Sequence, residues 1–426
     1  MNQLIKRHLT IWFLLLHMHL LAQENPKPLF VGYPDRIKTL DSLIDKSASF
    51  ALRKSDYTVA LRKAHLSTQV QSNIQVPVQS NDQVQVQDSL FKNVATRFFS
   101  HLAYGNKIPK LQYDGVRFKL NTYDIKGLLN EYLRNKSLIE LVNYFNSSST
   151  EVNTLINTLQ LYRDSSKKYP EKIALLEKAT NEYRWLNAIR QGNRIILVNI
   201  PSAQLKAFEG NKIVLSMRVV VGKLATPTNT LASTVEKIIV NPYWTVPKSI
   251  SSKEMLPKIL ESIDYLKQNN LQVLNENGKV VAPETIDWQA YSEENFPFTI
   301  RQATGSDNSL GILKVDFDSP FGIYLHDSPE KALFSNTNRF YSHGCMRMEK
   351  PVEMGKWLTQ NNKQALDTFD FKKVSKNIPP KYINVTLPTH VIVWYSLIDF
   401  DNKGKVKFYK DWYEQKAEEK SKMNFN

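Results

Sequence analysis

A change of pattern near residue 193 sets the strongest limit on the fold of this chain. Before it, apolar residues recur at helical spacing, as in Val152, Leu155 and Leu159. After it, short runs rich in β-branched residues, such as 194–200 and 214–221, are separated by turn residues. The sequence therefore predicts an α+β protein, in which a helical N-terminal part precedes a β-rich, sandwich-like part.

Both ends of the chain and one internal stretch differ from this pattern. Lys6 and Arg7 precede an apolar run ending at Ala22, which predicts a secretory signal peptide over 1–22. Leu20 fits the cleavage rule poorly, so an uncleaved anchor stays open as an alternative. Between the ends we expect a helical scaffold domain over 23–187, with a polar loop at 67–88, then a β-rich domain over 188–400 and a charged tail over 401–426.

The chain is strongly basic. Its 426 residues carry a formal net charge of +15, and the lysines are scattered along the sequence. Such a charge favours anionic partners, namely nucleic acid, a membrane surface or a cell-wall polymer. Because a secretory signal directs the protein out of the cytoplasm, nucleic acid is not expected as a partner.

The sequence contains a single cysteine, Cys345, within the run 341–347 (YSHGCMR). In an exported protein an unpaired cysteine indicates a reactive thiol or an intermolecular link. The alternative is a buried, inert residue that acts as a small hydrophobe. Composition alone leaves both open.

Two histidines lie near this thiol in sequence. His343 is two residues before Cys345, and His326 ends a strand-like segment nineteen residues before it. Either could take the proton of a nucleophilic thiol, and spacing alone favours neither. Together with Asp327 these side chains could also ligate zinc, but their spacing matches no common zinc signature, so no metal and no cofactor are expected.

The run 342–347 (SHGCMR), with His326 upstream, resembles the signature of the L,D-transpeptidases, the YkuD-domain family. Further segments resemble the YcbB-like branch of that family, and the resemblance covers roughly residues 190–400. These segments are 196–204 (ILVNIPSAQ), 218–228 (RVVVGKLATPT), 241–247 (NPYWTVP), 308–311 (NSLG) and 323–329 (IYLHDSP).

The resemblance implies a sandwich-like catalytic domain with an inserted helical lid, placed at 249–300. It implies peptidoglycan stem peptides as substrates, carbapenem-type inhibitors as ligands, and work in the periplasm or cell envelope. Cys345 would be the nucleophile and His326 the general base, with Asp327 orienting His326 through its backbone carbonyl. The N–H groups of Gly344 and Cys345 would form an oxyanion hole. The side chains implied on the substrate side are His343, Arg347, Ser342, Tyr324 and Trp244.

The implied reaction is transfer of an acyl group from a tetrapeptide stem, through a cysteine thioester, to the side-chain amine of a second stem. The product is a 3→3 cross-link. Two alternatives stay open because they use the same site: an L,D-carboxypeptidase, and an enzyme that couples a protein to murein. A non-enzymatic wall-binding scaffold is disfavoured because Cys345 and His326 are both present.

Overall fold

A computed structural model describes residues 27–414 except 70–80, 117, 119–121, 166–168, 363–365, 367–370, 372–374 and 377. The predicted signal peptide at 1–22 lies outside the described residues. The chain divides into two compact units, Met1–Ala103 with Tyr123–Ser148, and Tyr104–Thr122 with Ser149–Asn426. The domain bound at 187/188 stays a prediction. Within the described ranges, no helix is both long and apolar enough to cross a membrane.

The first unit is helical, as its sequence pattern predicts. Ser137 caps the helix 138–147, since its Oγ accepts from Glu140 N at 3.2 Å and donates to Glu140 Oε2 at 2.8 Å. Buried aromatic side chains, among them Phe98 and Phe99, form much of the core. The helices are α1 (Pro34–Asp45), α2 (Ser55–Gln69), α3 (Asn81–Tyr104), α4 (Ile125–Asn135) and α5 (Leu138–Ser147).

The polar loop predicted for residues 67–88 is wrong at both of its ends. Helix α2 runs to Gln69 and α3 begins at Asn81, while residues 70–80 lie outside the described part. The alternation of Val with Gln obscured a helical spacing, in which Gln87, Asp88 and Phe91 lie on the buried side of α3. Burial of that side stabilises a helix in a segment whose polar composition is typical of a loop.

The second unit combines helices with a large mixed sheet, which confirms the α+β prediction. Its helices are α6 (Thr150–Asp164), α7 (Pro170–Arg190), α8 (Lys248–Ile250), α9 (Leu256–Glu261), α10 (Asp264–Gln268) and α11 (Pro351–Leu358). Its strands are β1 (Tyr113–Asp114), β2 (Arg194–Asn199), β3 (Gln204–Glu209), β4 (Lys212–Gly222), β5 (Leu231–Val240), β6 (Trp244–Thr245), β7 (Leu271–Leu274), β8 (Val280–Val281), β9 (Thr299–Gln302), β10 (Leu313–Phe317), β11 (Leu325–His326), β12 (Phe340–Ser342), β13 (Met346–Met348), β14 (Lys381–Asn384), β15 (Thr389–Trp394), β16 (Ile398–Phe400) and β17 (Val406–Phe408).

Eight strands pair into a closed ring. Their order is β5-β10-β11-β13-β4-β3-β2-β15, and β15 pairs back with β5. Alternate side chains of these strands, such as Val219, Val221, Leu313 and Val315, are fully buried in one apolar core. This core fixes the register of the short strands β11 and β13, which carry the predicted site.

The segment predicted as a helical lid, 249–300, contains strands as well as helices. A second sheet has the order β6-β9-β7-β8, and it lies beside α8, a π-helical turn Ser251–Met255, α9 and α10. Leu256, Ile259, Val273 and Ile300 bury their side chains in a core of its own. We call residues 244–302 the lid.

The segment predicted as a tail from residue 401 continues the fold instead. Strand β17 pairs with β16, and Tyr413 stacks on Tyr395 with ring centroids 5.4 Å apart. Aromatic residues scattered among the lysines and acids, such as Phe408 and Trp412, were the overlooked signal. Residues 415–426 lie outside the described part.

Candidate active site

Cys345 lies on a three-residue loop between β12 and β13. Strand β12 pairs in parallel with the end of β4, and β13 pairs antiparallel with the residues just before it, so the loop must turn tightly. Gly344 makes that turn with a φ of +112°, a conformation that favours glycine. Ser342 ties the loop together, because its Oγ donates to Cys345 O at 2.5 Å and accepts from Gly344 N at 3.1 Å.

Strand pairing places His326 beside the loop. In the parallel pair β11–β13, His326 is opposite Arg347, and Leu325 is opposite Met346. One position earlier on the two segments lie Tyr324 and Cys345. In the antiparallel pair β10–β11, Lys314 is opposite His326. Cys345 directly precedes β13, and its thiol and the imidazole of His326 lie on the same face of this sheet.

A cavity of about 530 Å³ opens on this face. It is lined from below by the strands and from the lid by Trp244, Pro247, Ile250, Lys253 and Glu254. Seven of the nine predicted site residues line it, namely Trp244, Tyr324, His326, Ser342, His343, Cys345 and Arg347. The other two, Asp327 and Gly344, are not among the lining residues. The carbonyl of Asp327 contacts His326, and the carbonyl of Gly344 accepts a hydrogen bond from Thr228.

His326 is held as a neutral imidazole. Burial lowers its pKa to about 3, with the positive charges of Arg347 and Lys314 acting in the same direction and the Asp327 carbonyl opposing them. Its Nδ1 lies 2.5 Å from Asp327 O, and a carbonyl only accepts, so Nδ1 carries the proton. The Nε2 atom therefore has the free lone pair, which is the state a general base needs.

The thiol of Cys345 is also neutral at rest. Burial raises its pKa, while the backbone N–H and hydroxyl of Tyr324 and the charges of Lys314 and Arg347 act to lower it. Tyr324 in turn hydrogen-bonds with Trp244, and its own pKa is raised by burial and by the nearby thiol. The Tyr324 hydroxyl is thus a donor that can stabilise charge on sulfur.

Asp327 is fixed by contacts on two sides. Its Oδ2 accepts from Ile312 N at 2.9 Å, and its carboxylate is paired with Lys331. These contacts hold the backbone carbonyl that meets His326, so the side chain acts on the imidazole only through the main chain. The contact with the carbonyl is the one that the family resemblance implied.

The predicted oxyanion hole is only partly available. Gly344 N donates to Ser342 Oγ at 3.1 Å within the loop, so this N–H could serve an oxyanion only by leaving Ser342. Cys345 N keeps the role implied for it. Arg347 is paired with Glu330, which braces its guanidinium at the edge of the cavity.

Three charged residues of the site were missed from the sequence. Lys314 lies with its Nζ 4.1 Å from the centre of the Tyr324 ring, and Lys223 and Glu254 both contact His343. They lie on β10, directly after β4 and in the lid, all outside the run 342–347, so no local spacing could indicate them. Among the described residues no group of three His, Cys, Asp or Glu is arranged to hold a metal ion.

Two kinds of comparison describe what the chain is similar to. Among solved structures, an L,D-transpeptidase from Mycobacterium smegmatis aligns at 13% identity and a TM-score of 0.23, covering 47% of this chain and 58% of that one. The catalytic domain of an E. faecium L,D-transpeptidase acylated by ertapenem aligns at 14% identity and a TM-score of 0.21, covering 47% and 97%. Alignments with such TM-scores do not bear on the fold.

Two sequence matches cover the β-rich part of the chain. A Haemophilus influenzae protein named "Putative L,D-transpeptidase" is 30% identical over 263 residues, 58% of this chain and 53% of that protein, so the chain spans about half the length of the curated relative it matches. Residues 193–373 match the YkuD family model, described as the L,D-transpeptidase catalytic domain. Neither match distinguishes the YcbB-like branch, which stays a prediction. Residues 193–373 of this chain are therefore similar to the L,D-transpeptidase catalytic domain of the YkuD family.

Proposed function

We propose that this protein is a peptidoglycan L,D-transpeptidase that works through a thioester on Cys345. The observation that carries the proposal is that one cavity is lined both by a thiol, on the loop before β13, and by a neutral, buried imidazole, on β11. The donor is a tetrapeptide stem, which is cut between its third residue and the terminal D-Ala. The acceptor is the side-chain amine of another stem, and the product is a 3→3 cross-link.

In the acylation step, Cys345 Sγ attacks the carbonyl carbon of the third residue while His326 Nε2 takes the thiol proton. Lys314, Arg347 and the Tyr324 hydroxyl favour negative charge at this point, since each lowers the pKa of Cys345. The C–N bond then breaks, and His326 returns the proton to the departing amine of D-Ala. Cys345 is left as a thioester of the tripeptide stem.

In the second step an amine attacks the thioester carbon, the C–S bond breaks, and the sulfur recovers a proton through His326. Water could attack the same carbon and release a tripeptide instead. The lid side chains Trp244, Pro247 and Ile250 line the cavity and restrict the entry of water, which favours the amine. Since its substrate is the cell wall, we also infer that the enzyme works in the cell envelope, as a signal peptide at 1–22 would require.

The test combines two substrates with one variant. Incubation with a disaccharide-tetrapeptide is expected to give, by mass spectrometry, a dimer that has lost one D-Ala. Incubation with a carbapenem is expected to add the mass of one intact inhibitor, because opening of the lactam ring leaves no fragment free. The E. faecium domain acylated by ertapenem motivates this probe. Cys345→Ala should give neither result.

The possible outcomes separate the alternatives. A tripeptide without dimer would identify an L,D-carboxypeptidase. A Cys345→Ala protein that still gains the inhibitor mass would disprove the assignment of the nucleophile. Wild-type protein that stays unmodified by the carbapenem and forms no product would leave the wall-binding scaffold as the better description.

A further inference from the structure

We propose that Glu254, on the lid, binds the ammonium group of the acceptor stem and thereby directs the Cys345 thioester towards an amine and away from water. This inference rests on the proposed function and adds the residue that selects the second substrate. It concerns a side chain that lies outside the signature and was not expected from the sequence.

The charges of the cavity single out this residue. Glu254 is the one carboxylate among the described residues that line it. The lining cations are paired elsewhere, because Lys253 Nζ lies 2.8 Å from Glu293 Oε1 and Arg347 is paired with Glu330. The Glu254 side chain is 47% exposed, so a ligand in the cavity can reach it.

The present contact of Glu254 is one that a ligand could replace. His343 Nε2 lies 2.9 Å from Glu254 Oε1 and 3.1 Å from Lys223 Nζ. An ammonium group only donates and a carboxylate only accepts, so one ring nitrogen can satisfy either neighbour but not both. When His343 accepts from Lys223, the carboxylate requires another donor, and the ammonium of an incoming stem is such a donor.

The position of Glu254 suits an acceptor site. It lies in the π-helical turn Ser251–Met255, and such turns interrupt regular helices frequently at functional sites. Its partner His343 is two residues before Cys345 on the catalytic loop. An amine held here would approach the thioester from the lid side, while His326 lies on the strand side.

Attack of the bound amine on the thioester needs no reagent other than water. The bound ammonium gives one proton to water, and the amine nitrogen attacks the thioester carbon. The new N–C bond forms as the C–S bond breaks, and a second proton from nitrogen passes through His326 to the Cys345 sulfur. Holding the amine beside the thioester raises its effective concentration relative to water.

Glu254→Gln tests the role of the charge, because glutamine keeps the shape and loses the anion. The readout is the ratio of dimer to tripeptide formed from disaccharide-tetrapeptide, measured together with the rate of acylation by a carbapenem, which involves no amine. We expect the ratio to fall about fivefold or more in Glu254→Gln, with carbapenem acylation within about twofold of wild type. Glu254→Asp, which keeps the charge, should recover part of the ratio. Glu284→Gln is the matched control, since Glu284 is an exposed lid residue outside the cavity lining.

Two results would overturn the inference. One is a product ratio in Glu254→Gln equal to that of wild type. The other is a fall in carbapenem acylation that accounts for the whole loss of dimer, since Glu254 would then act only in holding the lid. Failure of the proposed function is distinguishable from both, because it shows in the wild type itself, which would then form no dimer.

Discussion

Cys345 and His326 rest as two neutral groups and not as an ion pair. Burial disfavours charge on both, and Lys314 and Arg347 have opposite consequences for the two partners. They stabilise a thiolate and destabilise an imidazolium. The proton therefore has no stable place on His326 before attack, so we expect its transfer to accompany the formation of the S–C bond.

The pH dependence of acylation should reflect this arrangement. An imidazole with a pKa of about 3 stays neutral down to low pH, so the rate of carbapenem acylation should hold between pH 7 and pH 5. An ordinary histidine, with a pKa of about 6.5, would lose most of its activity as a base over that range. Arg347→Gln removes a positive charge that disfavours the imidazolium, so the pKa of His326 should rise. The acid limb of the rate profile, where acylation slows as the pH falls, should then move to higher pH. A wild-type acid limb near pH 6.5 would contradict the neutral pair.

The sequence could predict the thiol and its candidate bases because they lie within twenty residues of one another. The preference for His326 came from family resemblance, and strand pairing supplies its physical reason. Only the register of β11 against β13 and β10 places Arg347 and Lys314 on either side of the imidazole. The contacts of His343 with Lys223 and Glu254 depend on how three separate segments fold together, which no spacing encodes.

The segment after β17 supports the catalytic loop from behind. Tyr413 Oη donates to Gly222 O at 2.8 Å and accepts from Thr228 N at 3.2 Å. Thr228 Oγ1 accepts from Gly222 N at 2.8 Å and donates to Gly344 O, also at 2.8 Å. One hydroxyl near the end of the described chain is thus linked through two hydrogen bonds to the residue before Cys345. Tyr413 lies beyond the stretch matched by the family model, and we expect it to position the loop that carries Cys345.

Tyr413→Phe should separate positioning from stability. It removes one hydroxyl and keeps the ring that stacks on Tyr395, so the melting temperature should fall by only a few degrees. The rate of carbapenem acylation at saturation should fall about tenfold, because the loop carrying Cys345 loses its brace, with little change in the half-saturating concentration. Tyr382→Phe, which alters an exposed tyrosine of β14, is the control. Equal acylation rates in the two variants would rule out the positioning role.

Two segments were misread from the sequence for the same reason. Residues 81–88 and 401–414 are polar in composition, yet each carries a few side chains that the fold buries or packs. Composition averages over a segment, whereas a helix or strand is stabilised by the side that it buries. The helices α5 and α6, by contrast, have serine caps and apolar residues at helical spacing, and that spacing alone predicts them.

Each of the two units has interior contacts of its own, and Asp88 is central to those of the first. Its Oδ1 accepts from the backbone N–H groups of Leu29, Phe30 and Val31 at 2.6 to 3.1 Å, and Lys92 Nζ lies 2.9 Å from Oδ2. Burial acts to raise the pKa of Asp88, but these hydrogen bonds outweigh it and the pKa is lowered. One carboxylate on α3 therefore fixes the segment that precedes α1.

Asp88→Ala should destabilise the first unit without changing the chemistry of the second. Removing the carboxylate leaves three N–H groups without an acceptor, two of them on buried residues, so the free energy of unfolding should fall by about 2–4 kcal/mol. Asp45→Ala, which breaks an exposed ion pair with Lys54, should cost less than about 1 kcal/mol. Cys345 and its cavity lie within the second unit, so the rate of carbapenem acylation in the folded protein should equal that of wild type. Thermal unfolding followed by circular dichroism measures the first effect, and mass spectrometry well below the transition measures the second. If acylation slowed in Asp88→Ala while the protein remained folded, the two units would have to be treated as a single functional body.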